Sequence, residues 1–404
     1  METIYVTAAV WLALAVLSSI LAAHLRLSMA LAEICVGIAA GELARHFIGG
    51  DVLAVNQDWL KFLAGIGAIL LTFLAGAELE YQVVKAKFRE IFVVGLIGFF
   101  APFLGCAAVA RILLHWSPQA SLLAGVALST TSMAVVYAVM LETGLNKTEY
   151  GKAILGACFV NDLGTVIALG LLFSPFGVRT IVFVAAVLVF LYLLPRATRA
   201  ITTRYGNKTA AIRTKWIITV LLSLGASAIW AGSEAVLPAY LIGMTLAGVM
   251  GEDSHFVRRI RTLTIGFLTP FYFIRAGTLV EARFMIAAPL VILALFGGKV
   301  LFKIVGLKPV ISLFRRDHRE KWYYTLLMST GLTFGTISAL FGLSKGIINT
   351  QQYSLLVIVV IGSAIFPTLI ANIFFFPAHL KGRVPTPDDE VMPSNEDWNS
   401  NDIR

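Results

Sequence analysis

The stretch TIYVTAAVWLALAVLSSILAA, Thr3 to Ala23, carries no charge over a length that crosses a bilayer as a helix, and similar runs succeed one another as far as Phe375. About 20 apolar residues are needed for one crossing, and every backbone N–H and C=O must be bonded inside the segment, because lipid offers no water. Composition agrees with this. Residues are 58% hydrophobic and 14% charged, with mean hydropathy +0.84, whereas soluble domains carry about 25% charged residues. The expected fold class is an all-α polytopic membrane protein of about 13 transmembrane helices, from Ile4–Ala23 to Tyr353–Phe375, with Thr180–Leu194 and Leu263–Val280 among them.

The formal net charge is +9, but the basic residues sit in short loops and need no nucleic acid partner. One alternate set of loops holds Arg26, Lys85, Lys87, Arg89, Lys147, Lys152, the Arg196–Lys215 cluster, Arg258, Arg259, Arg261, Lys308–Lys321, Lys381 and Arg383. That is about 22 basic residues against about six on the other side, and the positive-inside rule then puts the N-terminus out and the C-terminus in. Cys35, Cys106 and Cys158 lie in apolar segments without metal-ligand spacing and read as small buried hydrophobes. The N-terminus lacks the basic region of a cleaved signal. No nucleophile triad or metal-ligand cluster stands in the loops, so the chain is not expected to be an enzyme and no cofactor is expected. The polar, acidic tail 382–404 reads as a short disordered cytoplasmic segment.

Few ionisable residues remain at membrane depth, where each is costly and marks function by default. Asp162, in GACFVNDLGTVIALG, lies ~18 Å into its span at 1.5 Å rise per residue. A carboxylate that holds a proton in one condition and a cation in another is the minimum machinery for exchanging the two; a neutral or lysine-paired structural Asp is the bland alternative. The fifth span contains Ser129, Thr130, Thr131 and Ser132 in sequence. Such hydroxyls either bond back to carbonyls one turn earlier or support an interrupted helix lining a cavity. The twelfth span offers a counterpart in STGLTFGTISALFG, with Gly331, Thr333 and Gly335. Paired interruptions in the two halves of a chain point to an inverted-repeat transporter with its site at the midplane. The helix ends meeting there would need charge balance, for which Lys299, Lys303 and Arg275 are candidates; any of them could instead snorkel to the interface. Glu33, in AEICVGIAAGE, is a candidate cavity acid, and Gly37 and Gly41 in the same stretch are expected to pack against another helix.

Taken together, AEICVGIAAGE, LLTFLAGAELE, FVNDLGTVIALG, TPFYFIRAGTLV and the KIVG step at Lys303 make the chain resemble the monovalent cation:proton antiporter-2 family, which includes Kef-type and NapA-type proteins. The resemblance covers nearly the whole membrane region. It implies an NhaA-like antiporter fold, an inverted repeat with two crossing discontinuous helices. The ion-binding aspartate falls on Asp162, the position before it on Asn161, the core lysine on Lys303 with Lys299 one turn away, and the unwound segments on Thr130–Ser132 and Gly331–Gly335. Asn161 and the hydroxyls or carbonyls near Thr130, Thr131 and Ser132 are expected to help replace the ion's water. Core helices at about 91–173 and 285–375 would move against dimerisation and scaffold helices at about 28–79 and 180–280, all within a transmembrane domain of 1–381.

Two departures carry weight. Electrogenic members have two adjacent aspartates, whereas Asn161 takes the first place here, which is the electroneutral pattern. Kef-type members attach a nucleotide-binding regulatory domain, and the tail after Gly382 is too short to supply one. The expected function is therefore antiport of Na+ or K+ against H+ by elevator-type alternating access, in a homodimer in the plasma (cell inner) membrane, with monovalent cations, protons and lipid as partners. A channel-like K+ efflux pathway and a sodium-coupled organic anion carrier are the alternatives.

Overall fold

The computed structural model describes residues 2–25, 28–48, 53–77, 87–145, 148–173, 177–205, 211–231, 236–250, 254–281 and 283–380, and all the regular structure in them is helical. Among the described residues, eight helices are long and apolar enough by themselves to cross a membrane. They are α1 (Glu2–Leu25), α3 (Asp58–Ala77), α4 (Phe88–Ala108, extended by a π-helical turn to Leu113), α7 (Glu149–Phe173), α8 (Val178–Tyr205), α9 (Ile212–Trp230), α14 (Pro289–Phe314) and α17 (Thr350–Phe374). The other apolar runs fall on shorter pieces. These are α2 (Met29–Leu43) with a π-helical turn to Ile48, α5 (Pro118–Ser129) followed by α6 (Met133–Thr143), and α10 (Val236–Met250). After α11 (Ser254–Leu263) and a further π-helical turn comes α12 (Thr269–Thr278); the short α13 (Arg283–Ala287) precedes α14, and α15 (His318–Leu327) is followed by α16 (Thr333–Ser344).

Two expected boundaries are corrected. The run expected to end at Leu194 continues as α8 to Tyr205, through Pro195 and several arginines. Hydropathy falls off at Leu194, but the helix does not depend on lipid and carries on as a polar extension, so the first half of the Arg196–Lys215 segment is not a loop. The run Leu263–Val280 is not one helix either: a π-helical turn at Thr264–Leu268 separates α11 from α12. The tail 382–404 lies outside the described residues.

Local chemistry places the helix starts. Ser117 caps α5, its Oγ accepting from the Ala120 amide with Pro118 at the first helical position, where a missing N–H costs nothing. Asp317 accepts from the Arg319 and Glu320 amides to start α15. Asn349 and Gln352 form a capping box at α17, each side chain satisfying the other's orphan amide.

Packing divides the helices into two groups. In one, α3 lies on α10 and α2 on α12, while α8 and α9 pack beside α10. Both close crossings are made by glycine: a Cβ on Gly37 or Gly277 would strike the facing carbonyl of Ile274 or Ile34, and on Gly76 or Gly243 that of Tyr240 or Phe73. Without hydrophobic drive in lipid, small residues are what let helices approach. In the other group α4 packs against α5, α7 and α14, and α16 lies on α5 and α17. Two buried tyrosines bond across the boundary between the groups, Tyr240 of α10 donating to the Phe159 carbonyl of α7 (2.9 Å) and Tyr353 of α17 to the Ala276 carbonyl of α12 (2.6 Å).

Candidate functional site

The chain is interrupted twice inside the second group. α5 stops at Ser129, Thr130 turns to an extended conformation (φ −62, ψ 150), and helix resumes at Met133. α15 stops at Leu327 and resumes at Thr333 after Leu332 (φ −150, ψ −73). The hydroxyls do both things open to them. Ser129 and Thr130 bond back to the Val126 and Ala127 carbonyls, and Ser329 and Thr330 to those of Thr325 and Leu327, yet both helices are broken. Each hydroxyl supports the last turn before a break.

The two breaks touch. The Ser132 amide donates to the Thr330 carbonyl (3.1 Å), and the Thr131 hydroxyl to the Met328 carbonyl (2.8 Å). Neighbouring helices supply the remaining partners. Asn161 of α7 accepts from the Thr131 amide (3.0 Å) and donates to the Ser129 carbonyl (3.3 Å), so one side chain bridges the first break. Ser363 of α17 donates to the Gly331 carbonyl (3.3 Å) in the second. From α14, Lys299 donates to the Thr130 carbonyl (3.2 Å) and Lys303 to the Thr131 hydroxyl (2.9 Å). The Lys299 ammonium thus sits at the carbonyl end of α5, where the helix dipole favours a cation. Gly331 leaves it room, since a Cβ there would run into Nζ, and a Cβ on Gly335 would press on the Ala127 carbonyl and the Thr130 hydroxyl. Thr333 is the first residue of the resumed helix α16.

Asp162 stands next to this network and is not absorbed by it. Its side chain is 1% exposed and Oδ1 has no hydrogen-bond partner; Lys303 is within electrostatic reach. Buried polar atoms in native proteins are almost always paired. An orphaned carboxylate oxygen beside a lysine and an opened backbone is therefore suited to take up a proton or a small cation.

A family model described as sodium/hydrogen exchanger, transmembrane, matches residues 12–376. The chain belongs to the sodium/hydrogen exchanger family. The Bacillus subtilis candidate Na(+)/H(+) antiporter YjbQ is 26% identical over 88% of this chain and 60% of its own length. A Methanocaldococcus jannaschii candidate, Na(+)/H(+) antiporter 3, is 23% identical over 83% of this chain and 89% of its own. Cation/H(+) antiporter 18 of Arabidopsis thaliana is 24% identical over 88% of this chain. The chain spans only 60% of the Bacillus protein and 46% of the plant one. Among solved structures, the fold is similar to that of the sodium proton antiporter MjNhaP1 from Methanocaldococcus jannaschii, with TM-score 0.67, 15% identity and coverage of 92% of this chain and 96% of that one.

In this exchanger-family chain, Asp162, Asn161, Thr130, Thr131, Ser132, Lys299, Lys303 and Gly331–Gly335 converge. Arg275 does not join them: its Nε donates to the Val55 carbonyl (3.0 Å), between α2 and α3. Glu33 is buried on α2, in the other packing group, with Oε2 unpartnered. Asn161, expected as a cation ligand, has its amide oxygen and nitrogen engaged by backbone. Ser363 and Tyr240 escaped sequence reasoning. Ser363 could have been found as a hydroxyl in the middle of an apolar helix; a tyrosine in YLIGMTLAG gives no such signal.

Proposed function

We propose that this protein is a secondary active antiporter exchanging a monovalent cation, Na+ or K+, for a proton at Asp162. The observation that carries the reading is the buried, unpartnered Asp162 oxygen beside the two joined breaks. Asp162 alternates between a protonated and a cation-bound form. Backbone carbonyls freed at the breaks replace part of the ion's hydration, Asn161 holds the first break open at the right width, and Lys299 and Lys303 balance the helix ends. One carboxylate serving both ions couples their fluxes, because carrying it bare through the membrane would bury an unpaired charge. With Asn161 in place of a second acid, one cation exchanges for one proton and the cycle is electroneutral.

The α4–α7 and α14–α17 group acts as the moving core and the α1–α3 and α8–α12 group as scaffold and dimer surface, in an elevator-type cycle. The two glycine crossings, α2 on α12 and α3 on α10, use equivalent contacts, which supports an inverted repeat. The basic loop set supports a cytoplasmic C-terminus.

The test is Asp162→Asn in proteoliposomes with a pH-sensitive dye, Na+ and K+ being offered in turn. Loss of cation-driven proton flux with unchanged yield and melting behaviour is expected; undiminished exchange would sink the proposal. A pH gradient that drives sodium uphill in the wild type separates exchange from a channel.

A further inference from the structure

Tyr240 is fully buried, and three contacts fix it. Its ring stacks on Phe159 of α7 (centroids 5.2 Å, interplanar 27°) and meets Phe334 of α16 edge-on (5.9 Å, 86°). Its hydroxyl donates to the Phe159 carbonyl (2.9 Å). The residue sits on α10, which Gly76 and Gly243 lock against α3, so the ring has a rigid base in the scaffold while both ring partners belong to the core.

The partners are placed tellingly. Phe159 is three residues before Asp162, on the same face of α7, since residues three apart are neighbours on a helix surface. Phe334 is the second residue of α16, directly after the second break. The Phe159–Tyr240–Phe334 row therefore joins the scaffold helix α10 to α7 one turn before Asp162 and to α16 just after the second break. A ring in van der Waals contact on two sides excludes water, and a hydroxyl bonded at its tip stops it from turning.

We propose that Tyr240 is the scaffold's seal on the cation site, the residue that keeps water on the scaffold side from reaching Asp162 and so prevents protons from passing without a counter-moving cation. The seal rests on the reading of Asp162 as the exchange carboxylate. It acts through the ring, and the hydroxyl only positions it. Each translocation shifts Phe159 and Phe334 past the fixed ring, so the hydroxyl bond breaks and reforms once per cycle.

The experiment uses proteoliposomes with an imposed pH gradient in choline medium, free of sodium and potassium, followed by an entrapped dye. Wild-type vesicles and Tyr240→Phe vesicles hold the gradient equally, and in sodium the Phe variant exchanges within about ten-fold of wild type, as loss of one hydrogen bond allows. Tyr240→Ala dissipates the gradient at least ten-fold faster without any exchangeable cation. Tyr240→Leu, which keeps more bulk if the alanine variant fails to fold, gives a leak between the two. A gradient held by monodisperse Tyr240→Ala or, in its place, Tyr240→Leu as well as by wild type overturns the seal, and so does a leak in Tyr240→Phe as large as that of the truncated variants. The carboxylate reading fails separately: Asp162→Asn that still exchanges sodium for protons overturns that reading, whatever Tyr240 does.

Discussion

Asn161 and Asp162 are adjacent in the chain and point about 100° apart around α7. The amide reaches the first break and pairs there with the Thr131 amide and the Ser129 carbonyl, while the carboxylate beside it keeps an unpartnered oxygen. Asn161→Asp tests both halves of that division. A carboxylate still accepts from Thr131 but no longer donates to Ser129, which costs about 1–3 kcal/mol for a buried unsatisfied acceptor. It also adds a second titratable acid. The expected outcome is slower exchange whose rate responds to a membrane voltage set with an ionophore, where the wild-type rate does not; a voltage-insensitive variant counts against the electroneutral assignment. The residues that could be read from sequence were those whose charge or amide is conspicuous in an apolar run. Arg275 shows the limit of that signal, because a cation at membrane depth serves a loop carbonyl as readily as the ion site, and only the Val55 contact decides it.

Among the elements, the broken helices were legible as hydroxyl and glycine runs. What the sequence left open, back-bonding or interruption, was not a true alternative, since the same hydroxyls do both. The glycine crossings were half legible: Gly37 and Gly41 stood out as packing residues, but their partner α12 lies more than 230 residues on, and no local pattern names it. Gly277→Ala drives a methyl group into the Ile34 carbonyl and should cost about 1–3 kcal/mol. Gly65→Ala, on α3 with nothing within 4 Å, should be neutral or stabilising by up to about 1 kcal/mol. Melting of the two variants in detergent, side by side, checks the contrast.

The cap of α15 adds a pH dependence. The Glu320 and Arg319 amides hold the Asp317 carboxyl below the usual carboxylate range. Because its folded value is depressed, its contribution is complete above the unfolded value of about 4 and disappears as pH falls through the folded one. Asp317→Ala should therefore melt lower than wild type at neutral pH, with the gap closing below about pH 4.

At the scale of the molecule, membrane class followed from hydropathy, because lipid imposes a length, and among the described residues eight helices meet it by themselves. The division into two packing groups did not, since it depends on contacts between α2 and α12, α3 and α10, and α4 and α14, each pair far apart in sequence. Helix ends were least legible where polarity and structure part company, as in the arginine-bearing end of α8. The hydrogen bonds that join the two breaks, Ser132 to Thr330 and Thr131 to Met328, have a consequence for the chain as a genetic object. Each half contributes one side of a single seam, so neither half contains a finished site. A gene cut between α8 and α9 should give two inert fragments that recover exchange when co-expressed and co-purify through that seam. Exchange by either fragment alone would mean that the seam is dispensable.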